Sequence, residues 1–243
     1  MDVFCRTFKA AFPDLKRKIL DAFNSQATKA GFRSVWEHFE DVINPVLIDF
    51  FTRPPLSVPR SDITVAKSKS VYPDLKIRYR GKNYSVDVKS GEDHINPWYD
   101  MGRLDTYEES RLQKYAEEYC ITVRWRNRAA PEVIDVYIEP AYKSVGYRAE
   151  SDGVLYRPYD GKLRPKPWLD FESGTSHWHD LEHFKRGLEN SRDYRRRSFI
   201  VEWYKSMTQS QRHELKIDIA AIDSGKSVVL DRELPITEST DGA

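Results

Sequence analysis

The segment Tyr72–Ser90 constrains this chain more tightly than any other, because its alternation leaves few ways to fold it. Leu75, Ile77 and Tyr79 recur at every second position, as do Val86 and Val88, which is the spacing of one face of a β-strand. Between the two runs, Arg80-Gly81-Lys82-Asn83 predicts a tight turn, with Gly81 and Asn83 able to take the positive φ it needs. A hairpin that buries its apolar face carries Asp74, Asp87 and Lys89 together on the other. Two carboxylates beside an ammonium are suited to hold a divalent cation and an activated water.

The flanking sequence predicts what this hairpin packs against. Phe4, Phe8, Phe12, Leu15, Ile19, Leu20 and Phe23 follow helical spacing, with Pro13 at the first turn of a second helix, so residues 1–33 read as a helical arm. Val35, Phe39, Val42, Ile43, Val46, Leu47 and Phe50 predict an amphipathic helix over 34–51, which Asn44-Pro45 is expected to kink. Ser34 and Glu37 form a capping box at its start, which gives Glu37 a local role and leaves Glu40, one turn on, for other chemistry. Asp62–Ala66 alternates as a short strand. Beyond the hairpin, Asp105 and Glu108 form a second capping box, predicting a helix through Tyr107, Leu112, Tyr115 and Tyr119. Ile121–Trp125 and Val133–Ile138 read as further strands. This order predicts an α/β (α+β) fold with a mixed central β-sheet flanked by helices, its core spanning 34–139.

From residue 140 the character changes. Prolines and glycines break the chain into short strands and loops, and basic residues, Lys162, Arg164 and Lys166 among them, are interleaved with Tyr142, Tyr147, Tyr156, Tyr159 and Trp168. Ser173-Gly174-Thr175-Ser176 is a small, polar loop whose backbone could approach base edges closely, or an ordinary turn. His177, His179 and His183 admit a zinc reading, but no cysteine lies near to complete a tetrahedral set, and contact with nucleic acid or packing is preferred. Helices are predicted over 180–190, 193–207 and 209–222, with Arg192 and Arg195–Arg197 clustered near the second. Residues 140–225 thus form a loop-rich and helical region of the same domain, and 226–243 a tail.

With 40% hydrophobic residues in 243, the chain can bury a sizeable core. Its 39 basic and 38 acidic side chains nearly cancel, so any nucleic-acid partner must be met by a local basic cluster. Cys5 and Cys120 are far apart, and Met1–Arg6 has no signal-peptide pattern. Those features, with no apolar stretch approaching a membrane span, predict a cytoplasmic chain with reduced thiols.

Pro73-Asp74, twelve intervening residues and then Asp87-Val88-Lys89 resemble the motif of the PD-(D/E)XK nuclease superfamily. Placed on two strands, behind an acidic helix and before another helix, it also follows that family's element order. The resemblance implies a restriction-endonuclease-like core in which Asp74, Asp87 and the Val88 carbonyl hold Mg²⁺, with Mn²⁺ able to substitute. It implies that Lys89 orients or helps deprotonate the attacking water and that Glu40 reaches a second metal. Tyr99–Tyr107 and Leu169–Ser176 resemble the EcoRV-like branch of the type II restriction endonucleases. On that reading Ser173, Gly174, Thr175, Ser176, His177, Arg103, Lys162, Arg164 and Lys166 contact DNA. The implied activity is Mg²⁺-dependent cleavage of double-stranded DNA at a short palindromic site by a homodimer, beside a separately encoded DNA methyltransferase. A structure-specific DNA or RNA nuclease on the same core, or a non-catalytic nucleic-acid-binding module, are the alternatives.

Overall fold

The structure is a computed structural model and describes residues 2–26, 35–66, 72–93, 96–127 and 132–208, with 26 and 35–38 as backbone alone. The chain divides into two units, Met1–Arg192 and Asp193–Ala243. The first holds three N-terminal helices, α1 (Val3–Ala10), α2 (Phe12–Gln26) and α3 (Val35–Thr52), and a five-stranded sheet. Its strands are β1 (Ile63–Val65), β2 (Leu75–Tyr79), β3 (Lys82–Glu92), β4 (Glu117–Arg126) and β5 (Glu132–Pro140), in that spatial order. Only the β3–β4 pair is parallel; the other pairs are antiparallel. The expected mixed sheet flanked by helices is therefore present.

The helices form because their apolar positions meet the sheet. Asp2 caps α1, its carboxylate accepting from the Cys5 N–H at 3.0 Å. Phe4 then stacks on Tyr84 of β3 with ring centroids 4.0 Å apart, and Phe8 meets Tyr119 of β4 edge-on at 4.7 Å. Leu15, Ile19, Ile43, Leu47 and Phe51 complete this layer over Val86, Ile121 and Val123, all buried. Pro45 sits inside α3 without ending it. Cys5 and Cys120 are free, buried thiols, and burial pushes both up to about 12.

Three local expectations are corrected. In the β2–β3 turn, Arg80 and Gly81 take positive φ (48° and 78°), not Gly81 and Asn83. Tyr79 pairs with Lys82, so the loop has two residues and both must be left-handed, while Asn83 joins β3 opposite Arg78. The helix expected from Asp105 to Tyr119 shrinks to one wide turn, Glu108–Leu112. The Ala116 N–H is captured by the Asn83 carbonyl at 2.7 Å, so β4 starts at Glu117 and Tyr119 packs as a strand residue. The helices expected at 180–190 and 193–207 are one, α5 (Leu181–Ser206). The helix at 209–222 and the tail lie outside the described residues, as does the Ser34–Glu37 cap.

The opposite face of the sheet is covered too. Two short strands, β6 (Tyr147–Arg148) and β7 (Gly153–Val154), a one-turn helix α4 (Trp168–Glu172) and the start of α5 belong to this side. Its core comprises Met101, Leu104, Tyr107, Cys120, Val145, Val154, Leu163, Trp178, Phe184 and Leu188. Gly153 is what lets β7 meet α5: a Cβ there would stand 2.2 Å from Ser191 Oγ and 2.8 Å from the Gly187 carbonyl oxygen. Gly153→Ala is expected to lower stability by about 1–3 kcal/mol, read as a shift in urea midpoint. An unchanged midpoint would mean that β7 is not seated on α5. Among the described residues no helix is long and apolar enough to cross a membrane.

Candidate active site

Because both faces of the sheet are covered, the acidic residues of the hairpin are not on an open surface as the alternation alone implied. Tyr84 through Val88 are buried in succession, and Asp74 and Asp87 are each only 5% exposed. β2 begins at Leu75, opposite Val86, so Val88 looks past the start of its neighbour. Asp74, the residue before β2, fills that gap: its Oδ2 accepts the Val88 N–H at 2.6 Å. Asp87 Oδ2 meets Lys89 Nζ at 2.8 Å.

These contacts set the charge state of the site. Burial and then the charge of Asp87 push Asp74 up to about 7; Glu40 adds to the rise, while the Val88 N–H and Lys89 oppose it. Burial alone would lower the Lys89 ammonium, but Asp87 outweighs it and holds Lys89 above its ordinary value. The cluster thus sets a carboxyl that titrates near neutrality beside a lysine whose charged form is favoured.

A cleft of about 290 Å³ opens over the end of β3, lined by Phe39, Glu40, Val88, Lys89, Ser90, Trp98 and Tyr99. Glu40 reaches it from α3, and the charge of Glu40 acts on Asp74. The side chain of Glu37 lies outside the described residues. Asp74 and Asp87 stand back from the cleft walls. Tyr99, which the sequence noted only as part of a turn, is held by a 2.9 Å hydrogen bond between its hydroxyl and that of Thr122 on β4. Trp98 was missed altogether; an aromatic pair in a polar stretch was its only signal.

The donor set fits a hard divalent cation in a limited sense. Among the described residues no group of three or more His, Cys, Asp or Glu side chains is disposed to hold a metal, which also removes support for zinc at His177, His179 and His183. Mg²⁺, however, is commonly held by one or two carboxylates, with water completing its shell. The mutual repulsion that raises Asp74 is what a cation between Asp74 and Asp87 would relieve.

The residues expected to contact DNA fall elsewhere. Arg103 is exposed and bridges to Lys162. Lys162 and Arg164 both pair with Asp100, at 2.5 and 2.8 Å. Lys166 is 3% exposed, and its ammonium is taken by Glu139 at 2.8 Å and the Thr175 carbonyl at 2.9 Å. Ser173 and Gly174 end α4: the Ser173 hydroxyl donates to the Leu169 carbonyl at 2.8 Å, and Gly174 takes φ +67°. Ser176 donates to the Lys143 carbonyl at 3.1 Å, while Thr175 and His177 are exposed, with His177 stacked on Tyr147 at 3.6 Å. Arg164 and Lys166 are thus engaged internally, and the Ser173–Ser176 loop has the geometry of a helix-ending turn.

The fold and cluster together define a mixed-sheet α+β protein with a buried acid–acid–lysine group beside a cleft. No family model matches the chain. No curated protein matches it. Among solved structures it is similar to the NlaIV restriction endonuclease, with a TM-score of 0.48 and 13% identity, over 89% of this chain and 92% of that one.

Proposed function

We propose that this protein is a metal-dependent phosphodiesterase of the PD-(D/E)XK kind, and specifically a type II restriction endonuclease cutting double-stranded DNA at a short palindromic sequence. The observation that carries the reading is the convergence of Asp74 and Asp87 at the open end of β2, with Lys89 turned into the cleft. Asp74, Asp87 and the Val88 carbonyl would hold Mg²⁺, or Mn²⁺ in its place, and Glu40 is the candidate for a second site. When bound, the cation would lower the pKa of a coordinated water and neutralise charge on the phosphate.

The residues of this chain have separable tasks. Lys89, whose ammonium is favoured by the neighbouring carboxylates, would orient or help deprotonate the attacking water and offset phosphate charge. Asp87 fixes Lys89 at 2.8 Å. Asp74 locks the backbone of Val88, placing the end of β3 relative to the cleft. A palindromic substrate would call for a homodimer with one site per strand, and a site-specific nuclease in a cell implies a methyltransferase protecting the same sequence. The finer placement in the EcoRV-like branch rests on two stretches, Tyr99–Tyr107 and Leu169–Ser176, of which the second ends α4.

Incubation of the protein with plasmid DNA and Mg²⁺ tests the proposal. Discrete fragments of reproducible length are the expected product. A smear, or cleavage confined to branched DNA or to RNA, would replace it with a structure-specific nuclease. Binding without any cleavage in Mg²⁺ or Mn²⁺ would leave a nucleic-acid-binding module.

A further inference from the structure

Trp98 lines the same cleft as Lys89 yet is 64% exposed. An indole so placed presents an open aromatic face beside the cleft. Its other contact is unusual. The Arg164 guanidinium carbon lies 4.0 Å from the indole centroid, and Arg164 itself is only 2% exposed. One guanidinium nitrogen, Nη1, reaches Asp100 at 2.8 Å, while Nε and Nη2 are buried with no hydrogen-bond partner. Burying two unsatisfied N–H groups is costly. Stacking on an aromatic plane is a use of a guanidinium that does not need them.

We propose that Trp98, held by Arg164, is a stacking platform for a nucleobase of the substrate that has left its own stack beside the scissile phosphate. The inference rests on the proposed nuclease reading and adds to it a contact with the base, where Lys89 meets the phosphate. A flat π-faced ligand suits the site because one indole face is braced by the cation and the indole borders the wall from which Lys89 projects. Such stacking is tolerant of base identity, so Trp98 would grip an opened base step without reading its sequence. The simpler possibility, that the indole only shields Arg164 from water, predicts an effect on stability alone.

The experiment compares a labelled mixed-sequence single-stranded dodecanucleotide with an abasic deoxyribose-phosphate strand of equal length, both in Ca²⁺. Wild-type protein is expected to prefer the base-bearing strand. Trp98→Ala should weaken binding of that strand by about 5- to 150-fold and leave the abasic strand unchanged, and Trp98→Phe should retain most of the preference. Equal affinity of Trp98→Ala and wild type for the base-bearing strand overturns the platform, as does an equal loss on both strands. Plasmid cleavage by the wild type is scored separately. Cleavage with no Trp98 dependence of base binding sinks the platform alone, whereas base-dependent binding without cleavage sinks the nuclease reading alone.

Discussion

Asp87→Ala is expected to reduce plasmid cleavage in Mg²⁺ by on the order of 1,000-fold or more, with DNA binding in Ca²⁺ retained. Three effects combine at this residue. The substitution removes one of two carboxylates able to hold the cation. It also frees Lys89, whose ammonium is held by Asp87 at 2.8 Å. Finally, it removes the charge that raises Asp74, so the remaining carboxyl titrates lower. Asp87→Asn keeps the shape but not the charge and should be almost as damaging, which separates electrostatics from packing. Glu40→Gln should cost less, because it leaves Asp74, Asp87 and Lys89 in place and touches only the candidate second site. Cleavage by Asp87→Ala within tenfold of wild type would remove Asp87 from the chemistry. A parallel collapse of binding and folding would mark it as structural.

The second large effect concerns stability and lies away from the cleft. Glu118 on β4 pairs in register with Ser85 and is 6% exposed. Burial pushes its carboxyl up to about 8. Tyr72 donates to Oε1, Oε2 has no partner, and Arg111 stands 4.0 Å away, beyond hydrogen-bond reach. The native state therefore keeps the Glu118 proton up to about pH 8, while the unfolded chain releases it near 4.5. Between those values the native state binds more protons, so stability falls as pH rises across that window. Glu118→Gln, which keeps an acceptor for Tyr72, should match wild type to within about 1 kcal/mol at pH 5. At pH 9 it should be more stable by on the order of 4 kcal/mol. Urea midpoints at the two pH values measure both numbers. Parallel midpoints for the two proteins would mean that Glu118 is ionised in the native state.

Where periodicity and burial agree, the fold was legible. Phe4, Phe8, Leu15, Ile19, Ile43 and Leu47 recur at helical spacing because all of them face one layer. The covering layer on the other face was not legible. Met101, Leu104, Val145, Val154, Leu163 and Trp178 are scattered over nearly eighty positions with no period, reaching one core from several loops and the short β7. The break expected near Asn190-Ser191 has a related cause. Their polar side chains interrupt the helical pattern because they serve β7, with Asn190 donating to the Asp152 carbonyl and Ser191 to that of Val154. Tyr115 and Tyr119 mimic one helical face, but a parallel partner for β3 was needed there, and strand pairing overrode local spacing.

At the hairpin, the sequence by itself determined the order of the chemistry: a carboxylate before the first strand and a carboxylate two residues ahead of a lysine on the second, on the same face by alternation. It could not determine that this face would be closed over. Alternation reports the direction of a side chain and nothing about what arrives opposite it. Only the tertiary structure began β2 at Leu75, turned Asp74 onto the Val88 N–H, and covered Asp87 with chain from residues 99–190. That burial distinguishes a solvated surface pair from a carboxyl raised to titrate near neutrality beside a lysine, because the desolvation that raises Asp74 exists only once both layers are in place.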